Sequence, residues 1–258
     1  MVKALSNYVY KDNEATMPSL SAMLTSRIGD ESGDHEAVLL DTINLLASVY
    51  STGSMIDIGC GRGRISEAAA GRISEVVALE PDPGRCNWSR EALAEYDNVT
   101  VLNQMTYEYI ENNPGKQFDL VVLSMVLQHL STHNCKRLLD DVASLTRSGG
   151  LALLSTTHAI EKARCFTYQH VADSRISEEE FNEYADNPQS QDKGLPVHRF
   201  SRSELEAIVP DRFDRLQWTQ FSYYRPEFLS QFAKVHNVEP EELANVGNSQ
   251  FIVLRKNA

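Results

Sequence analysis

The chain has 258 residues, of which 42% are hydrophobic, with a formal net charge of -12 and an isoelectric point near 5.0. A chain of this length can bury one sizeable core, so we expect a single domain with insertions. The acidic balance and the lack of Lys and Arg clusters argue against nucleic acid and anionic membranes as partners.

The cysteines give a second constraint, because the four of them, at positions 60, 86, 135 and 165, show no Cys-x-x-Cys spacing. Reduced thiols in a cytoplasmic protein are therefore expected. The N-terminal residues lack the apolar segment of a signal peptide, and no stretch approaches the about 20 apolar residues of a membrane span. We expect a monomer or homodimer that does not contact membranes.

Residues 1–35 are polar and mixed in character, and a short helix is predicted over residues 18–28. We interpret this segment as an N-terminal lid or cap, with a frayed terminus as the alternative. Apolar residues at helical spacing over residues 36–50 then predict an amphipathic helix that packs on a sheet.

The next stretch, Ser-Met-Ile-Asp-Ile-Gly-Cys-Gly-Arg-Gly-Arg over residues 54–64, predicts a strand, a tight turn and a helix start. Glycines at alternate positions allow positive φ and a close approach of a ligand to the backbone. A nucleotide-like cofactor is implied. A dinucleotide fingerprint would have Gly or Ala in place of Arg64 and does not require the acid Asp57. The alternative is a structural turn that binds nothing.

A second strand is predicted over residues 75–80, followed by Pro-Asp-Pro-Gly. Asp82 can cap the next helix, and Pro83 can occupy its first position. Glu80 lies 21 residues beyond Gly59, which is the spacing at which nucleotide-binding βαβ units place the acid that accepts hydrogen bonds from ribose hydroxyls.

Two further buried strands are predicted over residues 99–103 and 118–124. The first is followed by Gln-Met-Thr at 104–106, and the second runs into Ser-Met-Val-Leu-Gln-His-Leu at 124–130. Ligands in open α/β sheets bind at the carboxyl edge, which is where both segments should lie.

The remaining pattern continues with a helix over 132–146, ended by Ser-Gly-Gly, and a strand over 151–155. Residues 158–199 are polar and acidic, with a capping-box helix start at Ser177, and a second capping box begins at Ser201. Strands over 213–222 and 250–255 flank a helical excursion opened by Pro226. The fold class is therefore α/β, with a three-layer α/β/α sandwich around a seven-stranded, mostly parallel sheet whose last strand is antiparallel.

Asp-x-Gly-x-Gly-x-Gly at 57–63, Phe-Asp-Leu-Val-Val-Leu at 118–123, His-Leu at 129–130 and Gly-Gly-Leu-Ala-Leu-Leu at 149–154 occur in the order typical of one family. The chain resembles the class I, Rossmann-like S-adenosylmethionine-dependent methyltransferases over about residues 54–156. The resemblance implies S-adenosyl-L-methionine as cofactor and S-adenosyl-L-homocysteine as product. It also implies a methyltransferase domain over 36–258, with a substrate-covering insertion at about 158–200.

The resemblance further implies a cofactor site in which the glycine turn wraps the methionine part, with the motif acid close to its amino group. The residues assigned to it are Asp57, Gly59, Cys60, Gly61, Arg64, Glu80, Pro81, Met105, Thr106, Ser124 and Met125. Arg64 would pair with the cofactor carboxylate, or else be a surface arginine. The sequence departs from the family at 104–106, where an acid near the adenine amine is common.

His129 is the predicted general base, since it follows the fourth strand and an ordinary histidine pKa near 6.5 suits proton removal at neutral pH. The alternative is a histidine packed at a helix start. His158 and the tyrosines Tyr8 and Tyr10 are predicted to contact the acceptor, and His198 is predicted to be structural. No group of acids indicates a metal.

The resulting hypothesis is methyl transfer to an oxygen or nitrogen of a small-molecule acceptor. Gly-Arg-Gly-Arg-Ile and Val-Leu-Gln-His-Leu also resemble protein N-terminal amine methyltransferases, so a protein or peptide amine N-methyltransferase is one alternative. A non-catalytic cofactor-binding scaffold of the same fold is the other.

Overall fold

The computed structural model describes residues 35–50, 53–159, 165–168, 175–187, 195–222 and 248–258. Tyr8, Tyr10, most of the predicted lid and the excursion at Pro226 lie outside these residues. The elements in chain order are α1 (His35–Val49), β1 (Ser54–Ile58), α2 (Arg64–Ala69), β2 (Glu75–Leu79), α3 (Pro83–Ala92), β3 (Val99–Leu102), α4 (Thr106–Asn112), β4 (Phe118–Ser124), a 3₁₀ turn (Leu127–His129), α5 (Thr132–Leu145), β5 (Thr146–Thr157), β6 (Cys165–Thr167), β7 (Arg175–Ile176), α6 (Glu178–Ala185), β8 (Val197–Arg199), α7 (Arg202–Ile208), β9 (Phe213–Ser222) and β10 (Asn248–Lys256).

The main sheet has seven strands in the order β3-β2-β1-β4-β5-β10-β9. The first five pair in parallel, and β10 runs antiparallel between β5 and β9. This confirms the predicted fold class, including the antiparallel last strand. The apolar runs predicted it because strands covered on both faces carry hydrophobic residues at successive positions.

Alternate residues of the central strands pack into two separate cores, one on each face of the sheet. Ile56 of β1 joins the core formed with α5, whereas its neighbour Met55 joins the core formed with α1. Because successive side chains of a strand point to opposite faces, this alternation places helices above and below the sheet. The three layers follow directly from it.

All three predicted helix N-caps are present, and at Ser177 the hydroxyl accepts from the Glu180 N–H at 3.1 Å. Asp82 accepts a hydrogen bond from the Arg85 backbone N–H at 2.8 Å, with Pro83 at the first helical position of α3. At α7 the Ser201 N–H donates to Glu204 at 2.9 Å, and the Glu204 N–H donates to the Ser201 hydroxyl at 3.3 Å. These local signals act over three residues, which is why the sequence locates them accurately.

Strand β5 begins earlier than predicted, at Thr146 instead of residue 151. The reason is an irregular register with β4: Phe118 is opposite Thr146, whereas Leu120 is opposite Leu151. The intervening residues bulge out of the ladder, and Gly149 takes a φ of 71° there. The Ser-Gly-Gly stretch therefore forms a bulge within a strand, where the sequence predicts a break before one.

A second sheet of three short strands, in the order β7-β6-β8, lies within the predicted insertion. Its pairing is antiparallel, and each strand has only two or three residues. Strands this short show no hydrophobic periodicity, so the sequence predicts only polar loop and a helix here. In the part of the chain that the structure describes, every helix is too short or too polar to cross a bilayer.

Candidate active site

The glycine turn between β1 and α2 is fixed to the end of β2. The backbone N–H groups of Gly59 and Cys60 both donate to the Leu79 carbonyl, at 2.8 and 3.0 Å. Gly59 has a φ of 72°, and a Cβ there would lie 2.6 Å from Cγ2 of Val126. Glycine at this position is therefore required by the loop after β4, and the close approach of a ligand to it stays a prediction.

Gly61 is different, because the nearest atom to a Cβ placed on it is Nη1 of Arg85 at 3.6 Å. Its φ of 59° turns the backbone without a steric conflict of the Gly59 kind. A side chain would therefore meet no steric block at Gly61, where the nearest neighbour is the end of a flexible arginine.

Glu80 braces this turn from the end of β2. Its carboxylate is 4% exposed and accepts two backbone hydrogen bonds at 2.9 Å each, from Gly61 to Oε2 and from Asp82 to Oε1. Burial raises the pKa of Glu80, and these two N–H groups oppose the rise. Each carboxylate oxygen has a second lone pair, so Glu80 can also accept from ribose hydroxyls.

Asp57 lies beneath the same turn, with 1% of its surface exposed. The Ser66 hydroxyl donates to its carboxylate at 2.8 Å. Burial raises the pKa of Asp57 to about 7, and the nearby Glu80 charge adds to the rise. Two buried carboxylates under one turn favour a cation beside them, such as an ammonium or sulfonium group.

Cys60 does not have the surroundings of a reactive thiol. Its sulfur lies 3.6 Å from the Ser89 hydroxyl, which donates to the Gly61 carbonyl at 2.6 Å. Burial raises the pKa of the Cys60 thiol, so the thiolate that would act as a nucleophile is disfavoured.

The residues after β3 supply an acceptor that the sequence does not identify. Asn103 donates to the carbonyls of Glu80 and Pro81 at 2.9 Å each. The next residue, Gln104, has a buried Oε1 with no hydrogen-bond partner among the described residues. Such an atom is costly unless a ligand satisfies it. The signal that could have indicated Gln104 is its position, since it is a polar residue directly after Asn103 at the carboxyl edge of the sheet.

The other residues predicted here are placed as follows. Pro81 and Met105 are half-buried, and the Met105 N–H donates to Glu108 at 2.8 Å. Thr106 is buried at the start of α4. The loops after β2 and β3 thus lie side by side at the carboxyl edge of the sheet.

The loop after β4 begins with an unfavourable backbone. Met125 has a φ of 54°, and among the described residues it is the only one other than glycine with a positive φ. Its N–H donates to the Ser155 carbonyl at 2.9 Å, and the Ser124 and Ser155 hydroxyls lie 2.7 Å apart. A left-handed residue of this kind costs about 1–2 kcal/mol and is common at functional sites. Here it redirects the chain into the 3₁₀ turn that carries His129.

His129 is buried, and the protein satisfies both of its ring nitrogens. Nδ1 lies 2.7 Å from the Pro196 carbonyl, and Nε2 lies 3.2 Å from Nε2 of Gln128. Burial lowers the pKa of His129 to about 4, although the Pro196 contact opposes this effect. The ordinary pKa near 6.5 that the sequence suggests is therefore not found.

The other predicted histidines lie farther along the same edge. His158 is half-buried and forms an isolated β-bridge with Phe200. Its Nδ1 lies 3.3 Å from the amide nitrogen of the Gln220 side chain. His198 is 2% exposed, with its ring 4.3 Å from Phe166 and 3.8 Å from Phe200 between centroids. These contacts give His198 a structural environment.

Two arginines flank the glycine turn. Arg64 is exposed at the first position of α2. Arg85, which the sequence does not single out, is half-buried in the first turn of α3, and its charge favours ionised Glu80. A cation at a helix N-terminus opposes the helix dipole, and that conflict is the signal that could have drawn attention to it.

The described residues contain no group of three or more His, Cys, Asp and Glu side chains that could hold a metal ion. What they do offer at one edge is a buried carboxylate at Asp57, a braced carboxylate at Glu80 and an unsatisfied acceptor at Gln104. These features fit the cation, the ribose and the amine of S-adenosylmethionine in turn.

A family model described as a methyltransferase domain matches residues 55–150. The ubiquinone biosynthesis O-methyltransferase of Stutzerimonas stutzeri is 30% identical over 112 residues, which cover 43% of this chain and 47% of that protein. The ribosomal RNA small subunit methyltransferase A of Bacillus cytotoxicus is 30% identical over 108 residues, which cover 40% of this chain and 37% of that protein. The chain thus spans less than half the length of both relatives.

The crystal structure of the N-methyltransferase NodS from Bradyrhizobium japonicum WM9 in complex with S-adenosyl-L-homocysteine is similar in fold, with a TM-score of 0.55. It is 12% identical, and the likeness covers 94% of this chain and 99% of that one. The fold, the glycine turn and the methyltransferase domain matched over residues 55–150 together support a class I S-adenosylmethionine-dependent methyltransferase family for this chain. S-adenosylmethionine is the cofactor of this family.

Proposed function

We propose that the protein transfers the methyl group of S-adenosylmethionine to an oxygen or nitrogen of a small-molecule acceptor. The observation that carries the proposal is Glu80, whose buried carboxylate holds Gly61 and Asp82 in place and keeps lone pairs for a ribose. A turn that served structure alone would not need a second buried acid, Asp57, beneath it.

The proposed cofactor site follows the carboxyl edge from β1 to β4. Asp57, Gly61 and Cys60 would lie along the methionine part, and Glu80 would accept from the ribose. Pro81, Met105 and Thr106 would line the adenine, with Gln104 as acceptor for its amine. Arg85, with Arg64 as the alternative, would supply a cation for the carboxylate.

When bound, S-adenosylmethionine supplies an electrophilic methyl carbon on its sulfonium sulfur, and S-adenosylhomocysteine remains after transfer. The protein's part is to hold an acceptor lone pair in line with that carbon, since proximity and orientation can supply about 7–11 kcal/mol of the barrier. Ser124 and Met125, at the end of β4, are the proposed wall against which the acceptor is held.

His129 is poorly suited to the base role that the sequence predicts. A general base works best when its pKa lies near the operating pH, whereas the pKa of His129 is lowered to about 4. We therefore propose that the acceptor reaches the site already deprotonated, or loses its proton to water, and that the enzyme acts by positioning.

A small-molecule acceptor is favoured over a macromolecule by charge and by the insertion. The net charge of -12 opposes a polyanion, which weighs against RNA despite the resemblance to a ribosomal RNA methyltransferase. The name of the Stutzerimonas relative refers to a quinone, which is a small molecule. Residues 158–200 are proposed to cover the acceptor, with His158, Tyr8 and Tyr10 in contact with it.

The test is calorimetric titration of the protein with S-adenosylhomocysteine, followed by a screen of amine, phenol and carboxylate pools for its release from S-adenosylmethionine. We expect 1:1 binding and turnover in one pool. Binding without turnover in any pool would favour the scaffold alternative, and lack of binding would contradict the proposed site.

Gln104 gives a test of the adenine side. Gln104→Leu should weaken S-adenosylhomocysteine binding about tenfold, because one hydrogen bond to the amine is lost. S-inosylhomocysteine has a carbonyl oxygen in place of the amine. It should bind the unmodified protein about as weakly as S-adenosylhomocysteine binds the variant, and its affinity should be the same for both proteins. Equal losses for both ligands in the variant would remove Gln104 from the site.

A further inference from the structure

A chain of buried polar contacts runs through the 3₁₀ turn after β4. The Thr156 hydroxyl of β5 donates to Oε1 of Gln128 at 3.0 Å, and Nε2 of Gln128 donates to the Met125 carbonyl at 2.8 Å. The same Nε2 lies 3.2 Å from Nε2 of His129, whose Nδ1 reaches the Pro196 carbonyl at 2.7 Å. The main sheet is thereby connected to the residue that precedes β8.

The tautomer of His129 follows from these partners. The Pro196 carbonyl can only accept a hydrogen bond, so Nδ1 must carry the proton. The other nitrogen, Nε2, then accepts from the Gln128 amide. Since the Met125 carbonyl can only accept, the nitrogen of the Gln128 amide must face it, and the same nitrogen presents an N–H, and not an oxygen, to His129.

Strand β8 is held to the main sheet at its other end by different contacts. The Thr157 hydroxyl donates to the His198 carbonyl at 2.5 Å, and the Ala159 N–H donates to the Phe200 carbonyl at 2.7 Å. Gln250 of β10 also donates to the Phe200 carbonyl, at 3.3 Å. His129 supplies the link to the main sheet at the N-terminal end of the strand.

We propose that His129 is a positioning residue whose Nδ1–H holds the insertion sheet against the loop after β4, and so fixes one wall of the acceptor site. This inference rests on the proposed function, in which the insertion covers the acceptor. His129 does not touch the reacting atoms in this role. The neutral, buried imidazole suits it, because a bond between neutral groups keeps its strength over the whole physiological range of pH.

Two variants of matched polarity separate this role from a base. In His129→Asn the side-chain amide nitrogen reaches the position of Nδ1 and can still donate to the Pro196 carbonyl. In His129→Gln the longer side chain carries its amide to the position of Nε2, so that bond is lost. Neither amide titrates near neutral pH, so a base would be lost equally in both.

The measurement is hydrogen–deuterium exchange of peptides spanning residues 195–200, with S-adenosylhomocysteine affinity measured in parallel. We expect exchange about tenfold faster in His129→Gln and about unchanged in His129→Asn, with the affinity within about twofold of the unmodified protein in both. Equal exchange in the two variants, whether slow or fast, would overturn the proposal.

A second measurement does not depend on any variant. A two-bond proton–nitrogen correlation spectrum of the labelled imidazole should show Nδ1 protonated and Nε2 unprotonated at pH 7, and protonated Nε2 would overturn the proposal. Because neither readout uses turnover, a protein that fails to bind S-adenosylhomocysteine at all would contradict the proposed function and leave the exchange result interpretable.

Discussion

The glycine turn and the insertion sheet are held in place by contacts of very different range. Gly61 and its acceptor Glu80 are 19 residues apart, and Ser66 and Asp57 are nine apart. By contrast, His129 and Pro196 are 67 residues apart. The first region is built within one βαβ unit, whereas the second exists only when distant segments have packed. Changes in the turn should therefore alter cofactor affinity, and changes in the insertion should alter local order.

The strongest way to break the turn is Gly59→Ala. The new Cβ would lie 2.6 Å from Val126 Cγ2, in a backbone with a φ of 72°. We expect the free energy of unfolding to fall by about 3 kcal/mol and the affinity for S-adenosylhomocysteine to fall at least tenfold. Thermal unfolding and calorimetry measure the two effects.

Gly71→Ala is the matched control for that substitution. Gly71 has nearly the same φ, 70°, but a Cβ there would meet nothing within 4 Å. It should cost about 1 kcal/mol, from backbone strain alone, and leave cofactor affinity unchanged. If Gly59→Ala and Gly71→Ala behaved alike, the contact with Val126 would carry no weight. Adding Val126→Ala to Gly59→Ala should recover part of the loss.

Glu80→Gln tests the brace of the turn with a smaller change. An amide has one acceptor oxygen in place of two, so either Gly61 or Asp82 loses its partner and the proposed ribose contact weakens. We expect binding of S-adenosylhomocysteine to weaken by about 10- to 100-fold. Glu75→Gln, at the other end of β2, is the control, since its carboxylate pairs with Lys116 at 2.7 Å, at the opposite edge of the sheet. A normal affinity in Glu80→Gln would remove Glu80 from the site.

Asp57→Asn tests the glycine turn through the pH dependence of the protein's stability. The pKa of Asp57 is raised to about 7 in the folded protein, above its value near 3.8 when unfolded, so the folded state binds the extra proton between these values. Stability should therefore fall as pH rises from about 4 to about 7. Asp57→Asn should flatten this part of the curve, measured as the midpoint of urea unfolding against pH. An unchanged slope would mean that Asp57 ionises normally.

Most of the main sheet and the turn are predictable from the sequence because their signals are local. The alternating glycines at 59–63, the acid at Glu80 and the capping box at Ser201 each act within one element or one βαβ unit. The seven-stranded sheet and its antiparallel last strand follow from the same pattern and the family resemblance, whereas the order of the strands comes from the structure.

The misses have a different physical origin. The buried state of His129 depends on Pro196, which is far away in the chain, so its lowered pKa has no counterpart in the local sequence. Gln104 and Arg85 matter through the space around them, and composition gives no information about that space. The strands of the insertion sheet are too short for periodicity to reveal.

The smallest expected effect is on the insertion side, in Glu204→Gln. Burial opposes ionisation of Glu204, but hydrogen bonds from His198 and Ser201 outweigh it and lower its pKa to about 2. Because the folded pKa lies below the ordinary 4.5, this carboxylate stabilises the fold above pH 4.5, and the contribution is lost as pH falls towards 2. We expect Glu204→Gln to cost about 1 kcal/mol at pH 7, as the loss of a capping partner does, and to reduce the loss of stability on acidification, with S-adenosylhomocysteine affinity unchanged.

Glu206→Gln is the control. It removes only half-exposed ion pairs with arginines on the same helix and on β9, so it should cost less than about 0.5 kcal/mol. A loss of cofactor affinity in Glu204→Gln would show that the two regions are coupled more closely than their separate hydrogen-bond networks imply.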